Sequence, residues 1–146
     1  MSKKNNFENN LTSFSDLGSF YLVFFFVNVI ILLIAAILFP QQVVLGNHLF
    51  SPLQALFQAI GLLTLLVVAV IPILEWLANR WQYELKTRDW LIVFWLVNIA
   101  ALWLIARLAE LIGLGLASWK VSVVLGTIFN LLQGWASKNL LQSKMD

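Results

Sequence analysis

Residues 90–133 read WLIVFWLVNIAALWLIARLAELIGLGLASWKVSVVLGTIFNLLQ, and this stretch decides the fold. It contains an apolar run as far as residue 112, a Gly-Leu-Gly break at 113–115, and a second apolar run from residue 118. An α-helix needs about 20 apolar residues to cross roughly 30 Å of hydrocarbon, and each run comes close to that length. The stretch therefore predicts a helical hairpin within a membrane.

The whole chain shares this apolar character. It has 146 residues, of which 61% are hydrophobic and 11% charged. A soluble protein of this size must cover its surface with polar groups, and its helices show one polar face each. The helical runs here are apolar on all sides. Together these features predict a single-domain, all-α integral membrane protein.

Four transmembrane helices are predicted, at about residues 20–39, 52–77, 90–112 and 118–136. Residues 1–17 and 138–146 are polar and are interpreted as cytoplasmic tails that flank a membrane domain at 18–137. The first run is too long for the apolar core of a signal peptide and does not end in an A-x-A-like site. Ser51 is predicted to cap the second helix, Pro72 to kink it, and Asp89 to cap the third.

Basic residues predict the orientation in a bacterial inner membrane. With four spans, all the Lys and Arg residues outside the helices lie on one side, which places both termini in the cytoplasm by the positive-inside rule. They are Lys3, Lys4, Arg80, Lys86, Arg88, Lys138 and Lys144.

The two halves of the chain resemble each other. Aligning Asn28 with Asn98 also aligns three apolar positions, and after a gap of three residues Ser51 meets Ser118 at the start of the next helix. Both hairpins begin on the cytoplasmic side, which predicts a parallel-type repeat about an axis along the membrane normal.

Polar residues inside the apolar runs are the candidate functional residues. Asn28 and Asn98 are predicted to form hydrogen bonds between helices, and the alternative is a polar constriction on a water or ion path. Arg107 is predicted to extend towards the headgroups with partial charge compensation from Glu110, and the alternative is a buried ion pair.

A stripe of small and polar residues runs along the fourth helix at a spacing of four. We expect it to pack against the first or second helix or against another subunit, since small residues let helices approach closely. A pore-lining role for its polar members is the alternative. The stripe consists of Ser118, Ser122, Gly126, Asn130 and Gly134.

Residues 98–134, NIAALWLIARLAELIGLGLASWKVSVVLGTIFNLLQG, resemble the small four-span bacterial proteins of the phage-holin-like superfamily IV, which includes the YvlD type. The shared pattern is Asn-x-x-x-Leu-Trp-Leu-(Ile/Val)-Ala-Arg at the end of the third helix, followed by a Gly-containing outer turn and a fourth helix rich in small residues. The chain departs from the pattern at Pro40, which no Gly follows, and at Glu110, where Pro is expected. The resemblance implies an integral membrane protein without enzymatic activity.

The residue inventory restricts the function classes further. The chain has one His and no Cys, and it shows no metal-ligand spacing, catalytic triad, phosphate-binding loop or basic cluster for nucleic acid. We therefore expect no catalysis and no cofactor, with the lipid bilayer, a homo-oligomer or another membrane protein as partners. Three hypotheses remain: a structural or accessory envelope protein acting through helix association, a pore-forming holin, and an accessory subunit of a transporter or channel.

Overall fold

The computed structural model of this protein describes residues 14–84 and 86–143. These residues contain five helices and two short strands. The remaining residues of the predicted tails, 1–13 and 144–146, lie outside the described part of the chain. The elements in chain order are α1 (Phe14–Leu38), β1 (Val43–Leu45), α2 (Pro52–Trp81), α3 (Thr87–Arg107), α4 (Ala109–Ile112), β2 (Leu114–Leu116) and α5 (Trp119–Ser143).

Three of the described helices are long and apolar enough to cross a membrane. They cover Leu17–Leu38, Pro52–Trp81 and Arg88–Arg107. Helix α5 has 25 residues and is about 37 Å long, which is sufficient to span, but Lys120, Asn130 and Gln133 make it more polar. The fourth predicted span therefore stays a prediction.

Helix α2 begins as predicted. The backbone N–H of Gln54 donates to Ser51 Oγ over 3.4 Å, and the backbone N–H of Ser51 donates to Gln54 Oε1 over 3.0 Å. This reciprocal capping box confirms Ser51 as the N-cap. Pro72 lies inside the helix, which continues past the predicted end at residue 77 to Trp81. Gln82, in the left-handed conformation, is its C-cap.

The third helix differs from its prediction at both ends. It begins at Thr87 with Lys86 as the N-cap, so the prediction that Asp89 is the N-cap is wrong. Asp89 instead occupies the third helical position, where its carboxylate accepts the Lys86 N–H over 3.1 Å. At the other end the helix stops at Arg107, because Leu108 has a non-helical backbone (φ −97°, ψ 31°), and only the short α4 continues to Ile112.

The long helices form a closed ring of contacts. The most extensive contact joins α3 to α5, followed by α1 with α2, α1 with α5, and α2 with α3. Each long helix thus has two neighbours, and the ring encloses one core. The largest fully buried apolar side chains in it are Phe129, Leu32, Leu56, Ile60, Leu63, Leu102, Ile105, Leu114 and Val67.

A small antiparallel sheet closes one end of this ring. Strands β1 and β2 pair with Val44 opposite Gly115, and Gly46 N–H donates to the Gly113 carbonyl over 2.8 Å. Gln42 extends the pairing by accepting the Ala117 N–H over 3.0 Å. We call residues 42–50 and 109–117 the sheet cap. The all-α prediction did not include these strands.

Asn47 links the two segments of the sheet cap through hydrogen bonds. Its Nδ2 donates to the carbonyls of Ala109 and Glu110 over 2.9 and 2.8 Å. Its Oδ1 accepts the N–H groups of Leu49 and Phe50, each over 2.8 Å. One carboxamide therefore satisfies two carbonyls of α4 and organises the loop that precedes α2.

Candidate functional site

Four polar side chains meet in the centre of the helix ring. Asn28 comes from α1, Thr64 from α2, Asn98 from α3 and Gln133 from α5, so every long helix contributes one residue. Each of the four is between 0 and 2% exposed. We call this set the buried polar network.

Gln133 connects the buried polar network. Its Nε2 donates to Asn28 Oδ1 over 2.9 Å and, more weakly, to Asn98 Oδ1 over 3.4 Å. Its Oε1 accepts Asn98 Nδ2 over 2.9 Å. Asn28 in turn donates from Nδ2 to Thr64 Oγ1 over 3.3 Å, which brings in α2. Each of the three carboxamides uses both its oxygen and its nitrogen, and all of these hydrogen bonds are made to other members of the network.

The network lies deep within the helices. Counted from the helix ends that adjoin the sheet cap, its members are nine to fourteen residues in, since Asn98 precedes Arg107 by nine and Gln133 follows Trp119 by fourteen. At 1.5 Å per residue this is a depth of about 14 to 21 Å along each helix. In a bilayer about 30 Å thick, the network would lie near mid-depth.

The surroundings of the network are apolar. On α1, Ile31, Leu32 and Ala35 lie three, four and seven residues after Asn28, on the same face of the helix, and all three are buried. On α3, Ala101, Leu102 and Ile105 are buried in the same way. Burying an unpaired carboxamide in such surroundings costs free energy. The hydrogen bonds of the network therefore favour one position of the four helices relative to each other.

Two members of the network were missed by sequence reasoning. Thr64 and Gln133 lie within apolar runs, as Asn28 and Asn98 do, and the same criterion would have selected them. Gln133 lies three residues before the predicted end of the fourth helix at 136. The observed α5 continues to Ser143, which places Gln133 well inside the helix.

The predicted stripe on the fourth helix faces α3, its own hairpin partner. A Cβ on Gly126 would lie 2.6 Å from Ile99 Cγ1 and 3.0 Å from Ile99 N, so the two backbones are in close contact. A Cβ on Gly134 would lie 3.6 Å from Leu91 Cδ2. The expectation of packing against the first or second helix therefore needs correction, because the observed close approach is to the third.

The polar members of the stripe have different environments. Ser118 precedes α5 and is exposed, whereas Ser122 is 1% exposed and its Oγ has no hydrogen-bond partner within the described residues. Asn130 is half-buried. The stripe thus does not present one continuous polar face.

Arg107 and Glu110 lie at the junction between the helices and the sheet cap. Both are exposed, and Arg107 Cζ lies 5.0 Å from the centre of the Trp103 ring, a cation–π distance. The helix break at Leu108 separates the two residues, and no ion pair joins them in the described part of the chain. Neither side chain forms a hydrogen bond with a member of the buried polar network.

The opposite turn, between α2 and α3, carries an exposed polar contact. Tyr83 Oη donates to Asp89 Oδ2 over 2.9 Å. This hydrogen bond and the negative charge of the carboxylate raise the pKa of Tyr83 above its ordinary value. Among the described residues, no three His, Cys, Asp or Glu side chains come together as metal ligands.

No match was found among protein-family models, curated proteins or solved structures.

Proposed function

We propose that this chain is a small, non-enzymatic, four-span protein of the bacterial inner membrane that acts through helix–helix association. The observation that carries the proposal is the closed hydrogen bonding of Asn28, Thr64, Asn98 and Gln133. Neutral amides and a hydroxyl that form hydrogen bonds with each other hold helices together. They offer no titratable group for acid–base chemistry and no free ligand for an ion.

The four-span topology belongs to the proposal. Helix α5 contributes Gln133 to the centre of the ring, and with Gln133 buried the outward side of α5 is apolar, with Val124, Leu131 and Trp135 exposed. A helix of this kind is accommodated in a membrane when its polar side chain is paired inside a bundle. Both termini then face the cytoplasm.

The two-hairpin repeat is supported by the placement of equivalent residues. Asn28 and Asn98 both bond to Gln133, and β1 and β2, which follow α1 and α3, pair with each other in antiparallel fashion. A local twofold axis produces such pairing between equivalent strands. The likeness to the phage-holin-like superfamily IV stands as part of the same proposal.

The pore-forming alternative requires an oligomer with a wettable helix face. The best candidate for that face was the stripe on the fourth helix, but Ser122 and Gly126 are buried inside their own bundle. The transporter alternative calls for a charged group at mid-depth, whereas the central positions in the described helices hold neutral amides. Both alternatives are therefore ranked below helix association.

Controlled expression in bacteria carrying a membrane-potential dye tests the proposal. We expect the chain to accumulate in the membrane without depolarisation, because the bundle has a closed core. Prompt depolarisation would overturn the proposal in favour of a pore. In that case the variants Gln133→Leu and Asn130→Leu would distinguish a path through the core from a path between copies along α5.

A further inference from the structure

Two cations lie at the sheet-cap end of the second hairpin. Arg107 is the last residue of α3 and Lys120 belongs to the first turn of α5, and both are exposed. The proposed topology places this end opposite the cytoplasm, on the side where Lys and Arg are rare. Glu110 is the one other charged residue between positions 90 and 137. The two cations therefore need an explanation other than the orientation of the chain.

The packing of α5 on α3 brings the two cations to one level. The close contact between Gly126 and the backbone of Ile99 defines the register of these antiparallel helices. Six residues further towards the sheet cap on each helix, this register places Lys120 between the levels of Trp103 and Arg107. The Cζ atom of Arg107 lies 5.0 Å from the centre of the Trp103 ring, so its guanidinium lies at the same level.

Both cations also lie on the outer surface of the bundle. Trp95 donates its indole N–H to Thr127 over 2.8 Å on the exposed side of the contact between α3 and α5. Lys120 precedes Thr127 by seven residues, two turns of helix, and so shares its face. Trp103 follows Trp95 by eight residues and is 39% exposed. We call Trp103, Arg107 and Lys120 the basic rim.

The first hairpin shows that the fold does not require this charge. In the alignment of the two halves, Ile37 takes the place of Arg107 and Leu53 that of Lys120. Ile37 and Leu53 are 68% and 61% exposed, as expected for side chains that face lipid. Residues 28–74 contain no Lys, Arg, Asp or Glu at all. The basic rim is thus a feature of one hairpin, and a ligand explains it better than packing does.

We infer that the basic rim binds the phosphate of an anionic phospholipid in the leaflet on the sheet-cap side. A guanidinium and an ammonium at one level both pair with a phosphodiester. With Glu110 included, this end keeps a net positive charge, so the cationic group of a zwitterionic headgroup is disfavoured. One turn deeper than Lys120, Val124 is 59% exposed and offers the acyl chains an apolar surface beside Trp103.

This inference rests on the proposed four-span topology, because Lys120 meets the headgroups only if α5 lies in the bilayer. A cation close to an anionic membrane surface strengthens binding by roughly fivefold. Each cation of the basic rim is expected to contribute about this factor to the preference for an anionic lipid over a zwitterionic one.

Quenching of a fluorophore measures that preference at the site itself. The natural chain has no cysteine, so Val124→Cys places a single labelled thiol one turn from the basic rim. Ile34→Cys, on the exposed surface of α1 near the same end, is the matched control. The full-length chain is placed in phosphatidylcholine vesicles with increasing spin-labelled phosphatidylglycerol or spin-labelled phosphatidylcholine. We expect phosphatidylglycerol to quench more strongly at position 124 and the two lipids to quench equally at position 34.

Substitutions then assign the preference to the cations. Arg107→Ile and Lys120→Leu install the residues of the first hairpin, and each should lower the phosphatidylglycerol preference at position 124 by roughly fivefold. Arg107→Lys keeps the charge and should retain most of the preference. Arg80→Leu removes a cation at the opposite end of the helices and should leave it unchanged. Thermal unfolding of each variant shows that the bundle is intact.

Several results would overturn the inference. Equal quenching by the two lipids at position 124, or an unchanged preference in the intact variant with both Arg107→Ile and Lys120→Leu, would each do so. Displacement of phosphatidylglycerol by millimolar inorganic phosphate would assign the site to a free anion instead. The basic rim lies outside the bundle core, so in all these cases the depolarisation experiment still tests the proposed function separately.

Discussion

Gln133 is the residue on which the buried polar network depends, because its amide bonds to both Asn28 and Asn98. Gln133→Leu preserves the approximate volume but leaves the amide oxygen of Asn28, and both the amide oxygen and the amide nitrogen of Asn98, without these bonds. Unsatisfied buried polar groups cost about 1–3 kcal/mol each in soluble proteins, and less where lipid-embedded groups find other partners. We expect Gln133→Leu to lower the free energy of unfolding by about 1–3 kcal/mol.

Unfolding in mixed micelles of mild and denaturing detergent measures this loss. Gln58→Leu is the matched control, since Gln58 is exposed and makes one long hydrogen bond of 3.4 Å to the Leu111 carbonyl. The control should unfold close to the natural chain. If both variants were equally stable, the buried polar network would not contribute to holding the helices together.

Gly126 sets how closely α5 approaches α3. An added Cβ would come within 3.0 Å of the backbone nitrogen of Ile99, so a rotamer change cannot relieve the contact and the helices must separate. Overpacking of this kind costs about 1–3 kcal/mol. Gly126→Ala is therefore expected to lower the midpoint of thermal unfolding.

Gly134→Ala provides the comparison on the same face of the same helix. Its added Cβ would lie 3.6 Å from Leu91 Cδ2, an ordinary van der Waals distance. We expect this variant to unfold at or slightly above the temperature of the natural chain, since alanine also favours the helix. The reverse order of the two variants would contradict the observed packing of α5 on α3.

At the scale of elements, the sheet cap depends on Asn47. Asn47→Ala removes two donated and two accepted hydrogen bonds that link the loop before α2 to α4. We expect amide hydrogen exchange to become at least roughly tenfold faster at 43–50 and 109–116, since each hydrogen bond contributes about 1 kcal/mol. Exchange in the middle of α2 should stay slow.

His48→Ala, which alters the neighbouring exposed residue, is the control for this measurement. Uniform acceleration over the whole chain would mean that the cap and the helices open as one unit. Unchanged exchange at Gly46, whose N–H bonds to Gly113, would mean that the strand pairing holds without Asn47.

Some boundaries of the helices and strands are marked by local sequence features, and others are not. The start of α2 and the apolar length of three helices follow from local features, such as the Ser51-Pro52 cap, whereas α1 begins at Phe14, inside the predicted tail at 1–17. The break at Leu108 has no Pro or Gly to mark it, and it lies beside the carbonyls of Ala109 and Glu110 that accept from Asn47, a residue about 60 positions earlier in the chain. The three-residue strands were not predicted as a pair for the same reason: their partners are about 70 residues apart in the chain.

At the scale of the whole molecule, the buried position of Asn28 and Asn98 could be anticipated, but their shared partner could not. Local patterns show that an amide in an apolar run must be paired; they do not show which of the other helices supplies the pair. The helix predicted to pack on the stripe of α5 was wrong for this reason. A stripe of small residues predicts that another helix approaches closely, but it does not indicate which helix. Helix order around the ring had to come from the structure.

The path of α5 across the membrane decides the topology of the whole chain. Because the natural chain lacks cysteine, single thiols at positions 48, 86 and 143 report the side on which each turn or terminus lies. Four spans place Lys86→Cys and Ser143→Cys on the cytoplasmic side, and His48→Cys on the other. A membrane-impermeant thiol reagent added outside intact cells should therefore label only His48→Cys.

A chain in which α5 does not cross would give a different pattern. Ser143 would then share the side of His48, and both variants would be labelled from outside while Lys86→Cys stayed protected. That result would leave Gln133 on a helix that does not span, and its bonds to Asn28 and Asn98 could not form at mid-depth. Combining Ser143→Cys with Gln133→Leu tests this link directly: if the network inserts α5, the variant should expose the thiol in a fraction of the molecules.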